Sequence, residues 1–300
     1  MTVRRVLAGI AFASVAIGCR DTPAAEAAQL RAVATNRVRA LERRLANADA
    51  GRAQGKPVAM WIMPTELREI SGIALTARGQ LLAHGDERAL VYVLDPRTGI
   101  VVDRFHVGEG THADFEGITV AGDDLWMIQS NGKLYQFKRG TNNSRVAYKI
   151  HDTHLGKECE FEGVAFDPDS AWLVMPCKRA LKKAMRGQFV MYHMRLAGAD
   201  SGKISEFTIP METVVGSNKW KNFRPSDITL DPNTGNYVMV AAQEKGLVVM
   251  TPEGDVLRSE HIPGKHPQAE GVAITIDNIL IISDEASNGP ASITLYRWRP

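Results

Sequence analysis

The stretch "HADFEGITV" at residues 112–120 places Asp114, Glu116 and a glycine directly before a short apolar run. Acidic residues and glycine are depleted in β-strands, whereas the β-branched residues that follow them favour strands. Similar punctuation returns as "CEFEGVAF" at residues 159–166 and as "QAEGVAI" at residues 268–274. Because the same device recurs along the chain, it predicts a structural repeat.

Five strand starts align on this pattern, namely "EISGIAL" from Glu69, "DFEGITV" from Asp114, "EFEGVAF" from Glu160, "RPSDITL" from Arg224 and "QAEGVAI" from Gln268. Their successive offsets are 45, 46, 64 and 44 residues. Each start is followed by a turn and then by two more apolar segments. A period in the forties with about four strands per unit is typical of a β-propeller.

The number of blades follows from the ends of this region. The 29 residues after Gly271 and the 15 residues that run from Pro57 to the residue before Gly72 together make one further period. We therefore predict an all-β, five-bladed β-propeller over residues 57–300, in which the N-terminal strand "VAMWIMP" completes the last blade and removes exposed sheet edges. The long third interval contains "CKRALKKAMRGQ", which predicts a helical or loop insertion. A sixth, degenerate blade is the alternative.

The N-terminus has the pattern of an export signal. Arg4 and Arg5 precede an apolar run at residues 6–18, which ends in small residues before Cys19. This arrangement resembles a bacterial lipobox, although Ala16 stands where leucine is commoner. It predicts a lipoprotein signal peptide at residues 1–18, lipidation of Cys19, and a protein anchored by lipid to the outer membrane or periplasmic in the cell envelope. A plain signal peptide or a short anchor is the alternative, and each version places the body outside the cytoplasm.

Residues 19–56 are rich in Ala and Arg and predict a helical tether or linker, since their apolar residues recur at helical spacing. They carry eight basic and four acidic residues, which gives this segment a net charge of +4. The formal net charge of the whole chain is only +2. Because the propeller region is slightly acidic, the sequence lacks the basic, aromatic-studded surface of a nucleic-acid binder, and we expect no nucleic-acid partner.

The acidic strand starts should meet on one face of the propeller. The innermost strand of each blade lines the central channel, and the loop entering it shares a face with the loop between the second and third strands. The predicted metal ligands at the channel mouth are Glu116, Glu162, Asp227 and Glu270. The other residues predicted on this face are Ser71, Asp86, Asp114, Glu160, Gln243, Asp284 and Glu285.

Several carboxylates around one axis repel each other, so they require protons, basic partners or a cation. Oxygen ligands from different strands suit Ca²⁺, which accepts about six to eight of them in flexible geometry. The sequence therefore predicts calcium as the cofactor. The alternative is that each Glu accepts backbone N–H bonds from the next blade and serves as a lock between blades.

Two cysteines flank a predicted hairpin centred near Pro168 and Asp169. Cys159 and Cys177 lie almost symmetrically about this turn and could face each other across two strands. Outside the cytoplasm such a pair predicts a disulfide. Two free thiols in the core are the alternative.

The strand starts also carry a resemblance to a known family. The quoted series, extended as "ELREISGIAL", "ECEFEGVAFDP" and "RPSDITLDPNTGNYVMV", resembles the SdiA-regulated, YjiK-like family of bacterial β-propellers over residues 57–300. A more distant similarity is to the esterase-like phytase propellers. The resemblance implies an envelope propeller with a calcium site. It places Glu116, Glu162 and Glu270 at the family's Glu-Gly positions, and Ser71 and Asp227 at its Ser-Gly and Ser-x positions.

Two functions are compatible with these observations. The first is a binding module, monomeric and anchored in the envelope, whose acidic mouth holds a small-molecule ligand or an envelope protein. The second is a calcium-dependent esterase or phosphoesterase, in which Glu116 or Glu162 acts as the base and His84 or Lys178 balances the developing charge.

Overall fold

The computed structural model describes residues 23–52 and 55–300 and contains a five-bladed β-propeller preceded by a helix. The predicted signal peptide at residues 1–18 and the predicted lipidation site at Cys19 lie outside the described residues. The fold class predicted from the repeat, including the number of blades, is confirmed.

The strands form five mainly antiparallel sheets arranged in chain order. The first strand of the chain is β1 (Ala59–Ile62). Blade 1 consists of β2 (Ile70–Leu75), β3 (Leu81–Gly85), β4 (Leu90–Asp95) and β5 (Ile100–Val107). Blade 2 consists of β6 (Phe115–Ala121), β7 (Asp124–Gln129), β8 (Lys133–Lys138) and, after the two-residue β9 (Arg145–Val146) that pairs with β5, β10 (Tyr148–Asp152).

The remaining three blades follow the same plan. Blade 3 consists of β11 (Cys159–Phe161), β12 (Ala165–Asp167), β13 (Trp172–Ala180), β14 (Gln188–Arg195) and β15 (Ile204–Pro210). Blade 4 consists of β16 (Asp227–Leu230), β17 (Tyr237–Ala241), β18 (Gly246–Met250) and β19 (Val256–His261). Blade 5 consists of β20 (Ala269–Ile274), β21 (Ile279–Asp284) and β22 (Ser292–Arg297) together with β1.

The first and last strands of the propeller close the ring, as the count of residues predicted. Strand β1 pairs antiparallel with β22, so that Ala59 faces Leu295 and Ile62 faces Ser292. The first strand of the propeller is therefore the outermost strand of its last blade. This pairing leaves no gap between the first and last sheets.

The extra length between the third and fourth strand starts does not form a sixth blade. Part of it lies in a short 3-10 helix at Lys183–Met185 within the β13–β14 connection. More is taken up by the five-residue helix α2 (Met211–Val215), which follows β15. The predicted insertion is therefore confirmed, and the alternative of a degenerate blade is wrong.

A common turn joins the first two strands in every blade. The residue before the second strand, or one residue earlier, has a positive φ, at Gly79, Gly122, Ala171, Gly235 and Asn278. This backbone conformation is easy for glycine and tolerated by asparagine, but it is unfavourable for alanine. The chemistry of the turn thus repeats together with the strands, which explains why the period is legible in the sequence.

The hydrophobic core is divided among the interfaces between neighbouring blades. Each interface buries aliphatic and aromatic side chains from two facing sheets, and the cluster between blades 5 and 1 also includes Leu41 and Ala48 of the N-terminal helix. Burial of apolar surface between facing sheets is the main favourable contribution to the folding of such an architecture.

The helix α1 (Pro23–Asp49) is the helix predicted within residues 19–56. Its C-terminal half packs on the propeller. Leu41 is buried, and Asp49 forms an ion pair with Arg297, with 2.6 Å between Oδ1 and Nε. Near its middle, Arg37 donates a hydrogen bond to the carbonyl of Thr98 and lies over the Trp61 ring. This half of the helix is thus part of the folded domain. None of the described helices is long and apolar enough to cross a membrane.

The predicted disulfide is present. Cys159 and Cys177 are joined, with their Cα atoms 5.7 Å apart, across β11 and β13 of blade 3. Their pairing follows from the hairpin that places these strands side by side, so the alternative of two free thiols does not hold.

We expect replacement of both cysteines by serine to lower the free energy of unfolding by about 2 kcal/mol, because the cross-link restricts the unfolded chain. Chemical denaturation of the double variant, compared with the oxidised protein, measures this loss. A control is the unaltered protein in reducing agent, which should behave like the variant. Equal stability of the variant and the oxidised protein would show that the bond contributes nothing.

Candidate functional site

Five side chains at the start of the innermost strands occupy equivalent positions, one residue before the closest approach of the strands. They are Ser71, Glu116, Glu162, Ser226 and Glu270. All five strand starts are arranged around the channel. The Ser71 hydroxyl lies 3.5 Å from a carboxylate oxygen of Glu116 in the next blade. This level is the mouth of the channel.

The next position forms a layer in which backbones of adjacent blades touch. A Cβ atom on Gly117 would lie 2.6 Å from the Cα atom of Gly163, and one on Gly163 would lie 2.8 Å from the Cα atom of Asp227. A Cβ atom on Gly72 would likewise lie 2.9 Å from the Cα atom of Gly117. The glycines after the acidic residues are thus required by close packing around the axis.

Polar contacts hold this layer together, and they involve serine hydroxyls and main chain more than glutamates. Ser71 donates to the carbonyl of Phe115 at 3.0 Å, and Ser226 donates to the carbonyl of Ala269 at 2.5 Å. The backbone N–H of Gly163 donates to the carbonyl of Glu116 at 3.0 Å. The predicted lock between blades therefore exists, but these bonds do not use the Glu side chains.

Asp227 lies in the glycine layer, one position deeper than the mouth. It is completely buried, and one of its carboxyl oxygens accepts the backbone N–H of Val272 in blade 5 at 2.9 Å. Burial raises its pKa well above the usual range. Asp227 is thus the one predicted metal ligand that acts as a lock between blades, and Ser226 is the residue of blade 4 at the mouth.

Lys178 provides the positive charge at the mouth. Its ammonium group pairs with the carboxylate of Glu162, which is 5% exposed, and the other oxygen of Glu162 is buried without a partner among the described residues. Lys178 also acts electrostatically on Glu116 and Glu270. The ammonium group therefore lies among three of the four predicted metal ligands.

Glu116 and Glu270 titrate near neutral pH. Burial raises the pKa of Glu116 to about 8, with a further increase from Asp114, while Lys178 opposes the change. Burial also raises the pKa of Glu270 to about 7, against the influence of Lys178 and of a hydrogen bond with Gln268. At neutral pH both positions can hold a proton or release it, as required of a general acid or base or of a site for a cation.

The remaining predicted residues are spread over the same face in separate contacts. Asp114 accepts a hydrogen bond from Ser130, and Glu160 pairs with Arg179. Burial raises the pKa of Asp86 and of Glu285, and Glu285 accepts a hydrogen bond from the side chain of Gln268.

Asp284 and His84, two further predicted residues, are both buried, and neither offers a free charge to the mouth. Asp284 is buried and bonded to His266, with 2.6 Å between the carboxylate and the ring nitrogen Nδ1. His84 is completely buried, and burial lowers its pKa to about 4, so its ring carries no charge at neutral pH. Its Nδ1 atom lies 2.9 Å from the carbonyl oxygen of Gly85. His84 therefore cannot balance developing negative charge, a role that Lys178 can still perform.

The structure adds residues that the sequence pattern did not single out. Arg224 lies 3.5 Å from the carboxylate of Glu244 and donates to the side-chain oxygen of exposed Gln243. Gln268 connects Glu285 with the neighbourhood of Glu270. Arg224 and Gln268 are the first residues of the aligned strand starts "RPSDITL" and "QAEGVAI", two positions before the mouth residue, so the alignment contained them without indicating their contacts.

A small polar cavity opens at this part of the mouth. It has a volume of about 310 Å³ and is lined by the three blades 3, 4 and 5, through Glu162, Lys178, Arg224, Ser226, Gln243, Gln268 and Glu270 among others. Its size is near the lower end of the roughly 300–1,000 Å³ usual for ligand pockets.

The predicted calcium ligands do not form a metal-binding group in this arrangement. Within residues 23–52 and 55–300, no three His, Cys, Asp or Glu side chains lie close enough together to hold a metal ion. Asp227 is turned into the glycine layer, and Lys178 occupies the neighbourhood of the other three carboxylates. These positions do not fit a Ca²⁺ site, and calcium binding stays a prediction.

Sequence and structure comparisons agree with the repeat analysis. Residues 218–297 match the SdiA-regulated family. The matched segment contains the strands β16 to β22 of blades 4 and 5, and together with the five-bladed fold it confirms the resemblance found in the sequence motifs. A search of curated proteins finds no match.

Solved structures show the fold at low sequence identity. The PQQ-bound aldose sugar dehydrogenase of Streptomyces coelicolor is 12% identical, with 79% of this chain and 97% of that chain covered and a TM-score of 0.53. The glutaminyl cyclase of Myxococcus xanthus is 11% identical, with coverage of 80% and 94% and a TM-score of 0.53. At this identity the similarity extends to the propeller architecture only.

The raised pKa values predict how stability depends on pH. Because Glu116 and Glu270 bind protons more tightly in the folded state, they stabilise the fold most below the pKa of an unfolded Glu, about 4.5. This contribution is lost as the pH rises through about 7 and 8. We therefore expect the melting temperature to fall as the pH rises from about 4.5 to about 8.

Melting curves recorded between about pH 5 and pH 9 measure this effect, because this range includes the pKa values of Glu116 and Glu270. The variant Glu116→Gln should show a shallower decrease, and the double variant with Glu270→Gln the shallowest. A matched change at the exposed Glu253 should leave the slope unaltered. The same slope in all variants would mean that other groups determine the dependence.

Proposed function

We propose that the protein is a β-propeller of the cell envelope that binds a small polar ligand at the mouth of its central channel. The observation that carries this proposal is the polar cavity beside Glu270, in which side chains from three blades meet. A rigid ring of blades holds these side chains, which favours a preformed binding site.

The charges in the cavity favour a ligand with an ammonium or guanidinium group. Lys178 is already paired with Glu162, and Arg224 with Glu244. Glu270, in contrast, lines the cavity, has no salt bridge among the described residues and releases its proton near neutral pH. Glu116 has the same properties at the mouth but does not line the cavity. A cationic group could replace the proton of Glu270 and donate hydrogen bonds to its carboxylate.

Calorimetric titration with a panel of small diamines, basic amino acids, sugars and inorganic phosphate tests the proposal. We expect an amine to bind, with an affinity that rises by about tenfold for each unit by which the pH increases toward the pKa of the responsible carboxyl group, because the proton and the amine compete for the same site. Glu270→Gln should weaken this binding, and Glu253→Gln, at an exposed loop, should not. The absence of binding by every member of the panel would refute the proposed site.

Calcium binding, which the sequence predicts, is tested by the same calorimetric titration. Titration of Ca²⁺ into protein treated with a chelator shows whether the mouth rearranges to accept the ion. Heat and a rise in melting temperature that disappear in Glu116→Gln would support a calcium site. No response would remove calcium from the proposal and leave the amine site to be judged separately.

A hydrolase of carboxylic or phosphate esters is the second candidate. It is favoured by the pKa of Glu116, which lies near neutral pH as expected for a general acid or base. A panel of ester and phosphomonoester substrates decides this point. Turnover that survives Glu116→Gln would exclude the assigned role, and the absence of turnover would leave the binding module.

The proposed location in the envelope rests on the N-terminal pattern. Replacement of Cys19 by Ser should release the protein from the membrane fraction into the soluble fraction of the envelope if that thiol carries lipid. Unchanged membrane association would contradict a lipid anchor at this position.

A further inference from the structure

A second and larger cavity lies at the opposite end of the channel. Its volume is about 720 Å³, within the roughly 300–1,000 Å³ of small-molecule sites. It shares no lining residue with the polar cavity at the acidic mouth. The glycine layer, where the backbones of adjacent blades touch, separates the two levels.

The inner wall of this cavity is mainly apolar, although threonines of several blades also line it. Ile73, Ile118, Val164 and Ile228 each lie one residue after the glycine layer, and Ile274 lies three residues after Gly271 in blade 5. Buried groups of this kind give a water molecule no hydrogen-bond partners, and apolar cavities of sufficient size therefore favour apolar ligands over water.

Apolar residues continue toward the opening, where they alternate with polar ones such as Gln80 and Asp277. The apolar residues there are Leu75, Val120, Phe166, Leu230 and Ile276, and Ile276 is 71% exposed. The first four lie at or near the ends of the innermost strands, and Ile276 lies in the turn that follows β20. An apolar lining that continues from the interior to an exposed rim admits a long or broad apolar group from solvent.

The rim carries an unpaired cation. Arg78 lines the cavity, is exposed, and makes no hydrogen bond or ion pair within residues 23–52 and 55–300. The neighbouring Arg97 instead pairs with Glu42 of α1 at 3.2 Å. The carboxylate of Asp95 at the rim is used by the backbone N–H of Arg97 and the hydroxyl of Thr98. Arg78 is therefore available to an anionic group at the opening.

From these observations we propose that the cavity opposite the acidic mouth binds a single-chain anionic amphiphile, with its apolar chain among the five blades and its acidic head at Arg78. The site is independent of the polar cavity and of the function proposed for it. Helix α1 contacts the rim loop through Arg37 and Thr98, so an occupied cavity should also stabilise the docked helix.

The test is calorimetric titration of the full chain with dodecanoate below its micelle concentration, together with dodecanol and butanoate. We expect dodecanoate to bind, dodecanol to bind more weakly, and butanoate not to bind. Arg78→Ala should reduce dodecanoate affinity by about fivefold and leave dodecanol unaffected. The matched control is Arg88→Ala, because Arg88 is also exposed in blade 1 but lies outside the lining of the cavity.

A second variant tests the chain-binding part. Val120→Trp places a large side chain at the cavity wall and should weaken dodecanoate and dodecanol equally, by about tenfold or more. A parallel titration with vesicles that contain anionic phospholipid distinguishes binding of a free amphiphile from binding to a bilayer. Binding to the vesicles without binding to dodecanoate would contradict a cavity site. Equal binding of butanoate and dodecanoate, or binding unaffected by both variants, would overturn the proposal, and the Arg78→Ala result stands even if Val120→Trp fails to fold.

Discussion

Replacement of Gly117 by alanine should lower the free energy of unfolding by about 3 kcal/mol or more. The added Cβ would lie 2.6 Å from the Cα atom and 2.9 Å from the carbonyl carbon of Gly163 in the adjacent blade. Both are backbone atoms, so no side-chain rotation can relieve the contact. The blades themselves would have to move apart.

Gly289 provides a matched control for this change. It lies in an exposed loop, its backbone conformation is ordinary, and an added Cβ would have no neighbour within 4 Å. We expect Gly289→Ala to change the stability by less than about 0.5 kcal/mol. Chemical denaturation of both variants makes the comparison, and equal stabilities would show that the ring is looser than the glycine layer indicates.

Replacement of Lys178 by methionine should cost about 3 kcal/mol, since it leaves the buried carboxylate of Glu162 without its cation. Glu162 is only 5% exposed, and one of its oxygens already has no partner among the described residues. The value is taken from the lower end of the usual range, because the Lys178 side chain is 34% exposed. The same variant should raise the pKa of Glu116 and Glu270 further, as Lys178 opposes the increase in both.

The double variant Lys178→Met with Glu162→Gln should recover most of the lost stability, since it removes the unpaired charge. Glu162→Gln alone should cost less than Lys178→Met alone, because the lysine left behind can reach water. Denaturation gives the stabilities, and titration followed by NMR gives the pKa values. A single variant as stable as the double variant would mean that the pair is not buried in solution.

The fold could be predicted because its determinants are local and repeated. Each strand start, turn and apolar segment is a short pattern, and the offset between successive patterns is the length of one blade. The closure between β1 and β22 followed from the incomplete period at each end of the propeller region. Such reasoning needs no knowledge of distances between blades.

The chemistry of the mouth depends on how deeply each side chain is buried and on whether its charge is paired, and a repeat alignment gives neither. In blade 4 the alignment places Ser226 in the column of the mouth residues and Asp227 in the column of the glycines, but it does not show that Asp227 is completely buried and bonded to blade 5. Lys178 was recognised as a basic residue of the face, but its pairing with Glu162 is a contact between β13 and the neighbouring strand start. His84 was assigned a charge that its complete burial removes.

The tether was predicted from helical spacing alone, which says nothing about docking. The structure shows that Leu41 and Ala48 of α1 are buried against blades 5 and 1. Arginines also contribute to the docking, since Arg37 and Arg44 donate to backbone carbonyls of the propeller. Long basic side chains can thus contribute packing and hydrogen bonds where a hydrophobic face is narrow.

The pairing of β1 with β22 sets the order of events when the chain is made. Strand β1 is synthesised before every other strand of the propeller, and its partner β22 is synthesised after all of them. The ring therefore cannot close until β22 has been made, and closing so long a loop makes this a slow, late step. A chain that stops before residue 292 would leave β1 unpaired and deprive α1 of the Arg297 contact, so premature termination in the last blade should disturb both ends of the protein at once.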